Sequence, residues 1–318
     1  MLNLERLRTL HMVARHGSIS AAAEVLHITT SAVSQQLAKL EREVGQRLLE
    51  RNGRGVRLTE AAQLLVAHAE RILSDVERAE ADLEAHRDAV VGHLSLAAFA
   101  TAARGLAPGA LARLRGRYPE LRVELGEREP VESIQAVAHA DIDLAIVQDW
   151  ANAPLALHEG LIKSPLLEDV LDVALPQGHA LAGRPWVDLE ELAAEPWVAW
   201  RRGSICYDWL LHTLRSRNCE PYIAHTAAEC PTQLALVAAG LGAAIVPRLG
   251  RGPVPPGVVM VGVQPRVTRH VYAVWRADAA RRPAIRAVLE ALAATAGGLS
   301  AGGAEPAGAG AVPPVVVG

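Results

Sequence analysis

The sequence predicts an α/β chain headed by a winged helix-turn-helix, followed by a long linker helix and a large α/β region. Three observations lead there. Two short helical patterns meet at His27-Ile28-Thr29 and are closed by a hairpin between Arg47 and Leu58. A hydrophobic spacing of threes and fours then runs from Glu60 toward Val90. From His93 onward, strand-like apolar runs alternate with helical stretches.

The first helix spans Leu4 to His16, with Leu4, Leu7, Leu10, Val13 and Ala14 on one face. The second starts at Ser18 or Ser20, capping types, and Ala21, Ala22 and Ala23 allow close helix crossing. The third follows Thr29 or Thr30, either of which suits an N-cap. Val33, Leu37, Leu40 and Val44 share its apolar side. The opposite side holds Ser31, Ser34, Gln35, Ala38 and Arg42: short or hydrogen-bonding, with no long apolar chain. Such a face suits close approach to phosphates and base edges. In the hairpin, Asn52-Gly53 between apolar runs signals a tight turn, and Arg51, Arg54 and Arg57 decorate it for phosphate contact. A helical bundle with a solvated polar face is the plainer reading of the helices alone; the hairpin and the long helix favour DNA.

These residues resemble the N-terminal domain of LysR-type transcriptional regulators. The resemblance rests on Leu4-Glu-Arg-Leu-Arg-Thr-Leu10, Gly17-Ser18-Ile19, Ala21-Ala22-Ala23-Glu24-Val25-Leu26, Ser31-Ala32-Val33-Ser34-Gln35-Gln36-Leu37, Leu48-Leu49-Glu50-Arg51 and Arg57-Leu58-Thr59-Glu60-Ala61. Thr30 stands where the family often has a base-reading glutamine, Gln35 where arginine is also common, and Leu49 where the wing usually has phenylalanine. The DNA-binding set expected is therefore Thr30, Ser31, Ser34, Gln35, Arg42, Arg51, Arg54 and Arg57.

The domain boundaries expected are 1–59 for the winged helix-turn-helix and 60–91 for the linker. In the linker, Ala62, Ala69, Val76, Leu83 and Val90 form one row and Leu65, Ile72, Ala79 and His86 the other. This suits a coiled-coil seam; a helix lying on its own domain is the alternative. The resemblance implies pairing of two subunits here, through Leu65, Ile72, Val76 and Leu83.

After Gly92, strands are expected at His93–Ala98, Leu121–Gly126, Ile142–Val147, Val170–Leu175, Trp197–Trp200, Tyr222–Thr226, Gly242–Val246 and His270–Trp275. Helices lie between them, among others Leu106–Tyr118, Ser133–His139, Cys206–Arg217 and Thr232–Ala239. The alternation predicts parallel sheets with helices on both faces, in two subdomains. Tyr118-Pro119-Glu120-Leu121, Asp141-Ile-Asp143-Leu-Ala145-Ile146, Leu175-Pro176-Gln-Gly178-His179 and Val237-Ala-Ala-Gly240-Leu-Gly242 extend the resemblance to the family's effector domain. That implies a two-lobed, periplasmic-binding-protein-like fold over 92–296, with lobe I at 92–163 and 268–296 and lobe II at 164–267. Residues 297–318 turn to Gly, Ala, Pro and Val and are expected to be a disordered tail.

Ligands of such folds sit at the carboxyl ends of strands. This singles out Ala100 and Thr101 after the first strand, where a hydroxyl and helix amides suit a carboxylate, and Arg128 after the second. In the second lobe it singles out Arg201, Arg202, Thr226 and Thr232; solvated loop arginines and threonines that merely cap helices are the plainer reading of each residue alone.

The chain has 318 residues, 50% hydrophobic and 21% charged, with net charge −3. Residues 1–60 carry nine Lys/Arg against six Asp/Glu, and residues 61–90 three Arg against seven Asp/Glu. A basic head on a mildly acidic body suits a protein that touches DNA at one end. Cys206, Cys219 and Cys230 lack CxxC spacing and read as buried thiols; the resemblance implies, as the alternative, a Cys219–Cys230 redox pair, since some LysR-type regulators sense oxidants through paired cysteines. No HExxH, GxSxG, GxxxxGK[ST] or strand-linked GxGxxG occurs, so neither metal, cofactor nor catalysis is expected. The expectation is a cytoplasmic, non-membrane regulator, dimeric or tetrameric, binding double-stranded DNA and an unidentified small-molecule effector. An enzyme or solute-binding α/β domain fused to a DNA-binding head is the alternative.

Overall fold

The computed structural model describes residues 1–52, 55–86, 89–303 and 315–316. The chain divides into two compact units, Met1–Leu83 and Glu84–Gly318.

The first unit opens with α1 (Leu4–His16), α2 (Ile19–Val25) and α3 (Thr30–Val44). Their inward residues Leu7, Leu10, Val13, Ala22, Val33, Leu37 and Leu40 are all buried in one cluster. Side chains stop each N terminus from fraying: Asn3 accepts from the Arg6 amide, Ser18 from Ala21 and Thr29 from Ala32. Thr29 is thus the cap of α3, and Thr30 is its first helical residue. Gly17 and Gly45 end α1 and α3 in the left-handed region, at φ 67° and 69°, which glycine enters without strain.

The wing pairs β1 (Leu49–Asn52) with β2 (Gly55–Leu58). Asn52 faces Gly55 as the last ladder pair, and Gly53-Arg54 between them lie outside the described residues. The Glu41 carboxylate accepts from the Leu48 and Leu49 amides at 2.8 and 3.2 Å and ties the wing to α3. Thr59 caps α4 (Glu60–His86), accepting from the Ala62 amide at 3.1 Å. In α4 the expected seam divides. Ala62 and Ala69 are buried, with Leu65 and Ile72 against them, in the unit's own core. Val76 is half-buried and Leu83 is 67% exposed. The near half of the helix therefore lies on its own domain.

The second unit comprises β3 (Gly92–Ala98), α5 (Ala100–Gly105), α6 (Ala107–Arg117), β4 (Leu121–Glu127), α7 (Pro130–Ala138), β5 (Leu144–Asp149), β6 (Leu161–Pro176), β7 (Trp186–Val187), β8 (Pro196–Trp200), α8 (Ile205–Arg215), β9 (Tyr222–Ala227), α9 (Cys230–Ala238), β10 (Ala244–Pro247), β11 (Val258–Val263), β12 (Thr268–Arg276), α10 (Pro283–Gly303) and a short β13 (Val315–Val316). Lobe I carries the order β4-β3-β5-β12-β6. In lobe II, β10 and β11 flank the second half of β6, β7 lies beyond β11, and the β8–β9 pair joins through a Trp197–Ala243 bridge next to β10.

Three expectations are corrected. The sheets are mixed: β3, β4 and β5 run parallel, as do β8 and β9, but β12 is antiparallel to β5 and β6, and β10 and β11 are antiparallel to β6. The first crossing between lobes falls near Val170 and Leu171, not at 163/164, because β6 is one strand of 16 residues serving both sheets. Its first half was not legible: Pro165 and scattered charges hide it, and the ladder absorbs them with a register shift at Val271/Tyr272. Finally, α10 continues to Gly303, past the expected start of the tail at 297. Residues 304–314 and 317–318 of that tail lie outside the described residues.

Each lobe has its own core, and each lends it a residue from the other side. Trp150, just after β5 of lobe I, packs in the lobe II core and stacks on Trp209 at 3.9 Å between ring centroids. Leu249, just after β10 of lobe II, packs in the lobe I core.

Candidate functional site

Two sites emerge, one in each unit. In the first, the side of α3 opposite its buried residues is open: Thr30, Ser31, Ser34, Gln35 and Arg42 are exposed. Two of these are pre-oriented by their own helix. The Ser34 hydroxyl donates to the Thr30 carbonyl at 2.9 Å, and Arg42 Nε to the Ala38 carbonyl at 3.3 Å. Arg57 projects from the wing and pairs with Glu50 at 3.0 Å, so it meets an anion only by exchanging that partner. The Arg51 side chain and all of Arg54 lie outside the described residues. An exposed, polar, short-chained helix face beside a two-stranded wing can enter a major groove while the wing tracks the backbone.

In the second unit, β3, β4, β8 and β9 each end at the start of a helix, namely α5, α7, α8 and α9, and β5 ends at Gln148-Asp149. Gln148 Nε2 donates to Cys206 Sγ at 3.1 Å, which joins the end of β5 to the first turn of α8 across the two lobes. Arg269, on β12, is 1% exposed. Its Nε donates to Asp169 at 2.9 Å, its Nη2 lies 2.7 Å from the same carboxylate, and Nη2 also donates to Thr101 Oγ1 at 2.6 Å. The guanidinium also lies over the Phe99 ring at 5.1 Å. Asp169 further accepts from the Leu249 amide at 2.8 Å. Beside it, Asp172 takes two bonds from Arg248, at 2.9 and 2.8 Å, and one from Arg251 at 2.9 Å. The crossing strand β6 is thus pinned by carboxylates to the loop after β10 and to β12.

The expected effector residues are distributed unevenly. Thr101 is buried with its oxygen already bonded to Arg269, and Ala100 is half-buried beside it. Arg128, Arg201, Arg202, Thr226 and Thr232 are exposed. Arg202 lies over the Tyr207 ring at 5.5 Å. Glu129, after β4, has its carboxyl pushed up by burial, with Arg201 drawing it back down. Sequence reasoning singled out neither Gln148 and Arg269 nor the buried Ser133 and Gln233, and read Cys206 only as a buried thiol. Gln233 carried a signal, as a lone amide on the apolar face formed by Cys230, Leu234 and Val237. Gln148 carried another, as an amide closing the apolar run Leu144-Ala-Ile-Val147.

The three cysteines are free. Burial pushes the Cys206 thiol from 9.0 up to about 12 and raises that of Cys230, so both stay protonated where redox thiols ionise. Cys219 is half-buried, its Sγ donating to the Arg217 carbonyl. Among the described residues no group of three or more His, Cys, Asp or Glu is placed to hold a metal, and no helix is long and apolar enough to cross a membrane.

A family model described as the bacterial regulatory helix-turn-helix protein, lysR family, matches residues 4–63, and one described as the LysR substrate binding domain matches residues 87–297. The probable HTH-type transcriptional regulator LrrA of Synechococcus elongatus is 30% identical over 93% of this chain and 98% of its own length. The uncharacterized HTH-type transcriptional regulator YnfL of Escherichia coli is 32% identical over 77% of this chain and 82% of its own. Among solved structures, a full-length OxyR variant from Pseudomonas aeruginosa has a TM-score of 0.70 at 22% identity, covering 92% of this chain and 95% of that one. Full-length CbnR in complex with its target DNA has a TM-score of 0.55 at 23% identity, covering 92% and 100%. At these identities the structural likeness is one of fold.

Proposed function

The chain belongs to the LysR family of transcriptional regulators, and from that premise we propose how its parts divide the work. It is a DNA-binding transcription regulator with an effector-binding domain, not an enzyme. The α3 face of Thr30, Ser31, Ser34, Gln35 and Arg42 reads the major groove, and the wing, through Arg51, Arg54 and Arg57, holds phosphates. The observation that carries this is the division of α3 into a buried side, Val33, Leu37 and Leu40, and a wholly exposed polar side. The far half of α4, with Val76 and Leu83, pairs with a second copy, so that two recognition helices meet two half-sites. A small-molecule effector binds in the cleft between the lobes of the second unit. Its binding changes how the lobes close about the two crossings, and through them the DNA-binding units. The protein works in the cytoplasm, where its DNA is.

A gel shift against the intergenic region beside the protein's own gene tests the first part. Tight, salt-sensitive and sequence-selective binding, lost in Gln35→Ala with an unchanged circular dichroism spectrum, is the expected result. Unchanged affinity in that variant removes α3 from the reading.

A further inference from the structure

Helices α6 and α10 lie side by side on lobe I. They meet closely at Gly109, where a Cβ would come within 2.8 Å of Thr295 Cγ2. Toward the end of α6 a cavity of about 520 Å³ opens between them. That is within the range of small-molecule sites, about 300–1,000 Å³. Its floor is apolar: Leu114 and Ala287 are buried, at 3% and 4% exposure, and Ala291 is half-buried beside them.

The walls carry charges of opposite sign. Arg113 and Arg117, four residues apart, share one side of α6, and Glu290 stands on α10. All three are exposed. Among the described residues neither arginine has a carboxylate partner, and Glu290 has no basic one. Arg117 lies instead over the Tyr118 ring, at 5.3 Å. Two guanidinium groups and one carboxylate therefore border a single cavity, unneutralised and not paired with one another.

This place is apart from the cleft. The cleft lies at the carboxyl ends of the parallel strands β3 and β4, and α6 runs back from there to the start of β4. Its last turns, with Arg113 and Arg117, thus lie toward the opposite end of the sheet.

The charges specify an occupant. Two arginines can hold a carboxylate by paired N–H donors. Glu290, across the same space, suits an ammonium group. The apolar floor between them suits a short hydrocarbon side chain. A simple carboxylic acid would leave Glu290 without a partner, and a simple amine would leave both arginines so.

We propose that the groove between α6 and α10 is a second small-molecule site, separate from the cleft, that takes an α-amino acid with an apolar side chain. Arg113 and Arg117 hold its carboxylate, Glu290 its ammonium, and Leu114, Ala287 and Ala291 its side chain.

The test is isothermal titration of the full-length protein with L-leucine and L-phenylalanine. Four analogues accompany them: 4-methylpentanoate and 3-phenylpropanoate, which lack the amine, and 3-methylbutylamine and 2-phenylethylamine, which lack the carboxylate. Saturable binding of at least one amino acid is expected, weakened about tenfold or more in each of its analogues. Arg117→Gln, at an exposed position, is expected to weaken it to a similar degree, and Ala291→Leu, which fills the floor, to abolish it. Glu290→Gln is expected to narrow the gap between the amino acid and its deaminated analogue. Amino-acid binding that Arg117→Gln and Ala291→Leu both leave unchanged overturns the site and moves the ligand elsewhere, the cleft included. Equal binding of amino acid and deaminated analogue overturns the role of Glu290 and the zwitterionic class. No saturable binding of either amino acid overturns the proposal; a lower oligomeric state of Ala291→Leu in sedimentation equilibrium then gives the groove to a second copy of the chain.

Discussion

Arg269 is the residue on which the second unit turns. Its guanidinium touches Asp169 of β6, Thr101 of α5 and the Phe99 ring, so one buried charge joins three elements. Removing a buried charge strands its partner. Arg269→Met is expected to lower the unfolding free energy by about 3–5 kcal/mol in urea titrations, and Asp169→Asn in the same chain to return much of it. An additive pair of losses would mean that the two groups are not coupled. Cys206 makes a second residue-scale prediction. Its pKa is raised, so the folded chain holds the proton longer than the unfolded one. The stability this contributes is complete below 9.0 and is lost as pH rises through about 12. Cys206→Ala is expected to flatten the alkaline fall in melting temperature across that window. Mass spectrometry after brief alkylation of the folded protein at pH 8 is expected to find label on Cys219 and little on Cys206 or Cys230.

At the scale of elements, α4 shows how one helical pattern serves two purposes. Ala62, Leu65, Ala69 and Ile72 face their own domain, and Val76 and Leu83 continue the same face beyond it. Periodicity identifies the face but not its partner, since an apolar row is equally suited to either. Leu83→Asp places a charge where the single chain is already open. It is expected to weaken self-association in sedimentation equilibrium while leaving the far-UV spectrum unchanged; an unchanged assembly would move the interface elsewhere. The loop after β10 is tighter. Gly250 has φ +64°, and a Cβ there would collide with the Thr101 carbonyl oxygen. Gly250→Ala is thus expected to destabilise the second unit by more than the ordinary helix or loop substitution, as a lower urea midpoint. The capping threonines and the β3, β8 and β9 strands were legible because each depends on neighbours in sequence. The first half of β6, with β7 and β11, was not, because those strands exist by virtue of what they pair with.

At the scale of the molecule, β6 is the organising strand of the second unit. Residues 161–170 complete the lobe I sheet and 171–176 the lobe II sheet, so the lobes share a backbone. Trp150 and Leu249 exchange across them, and the Asp169 and Asp172 networks pin the crossing. What the sequence by itself determined is local and periodic: the three capped helices, the wing, the long amphipathic helix, the alternation of strands and helices, and the exposed polar face of α3. Each follows from residues within a turn or two of one another. What only the tertiary structure decided is non-local. Antiparallel closure of β12 on β5, the Asp169–Arg269 pair 100 positions apart, and the meeting of Gln148 with Cys206 join segments that no sequence window contains. Thr101 is the telling case. Its place after a strand marked it as a ligand-holding hydroxyl, yet the folded chain brings Arg269 to it from 168 positions away, and that one contact alters what the cleft has left to offer a ligand.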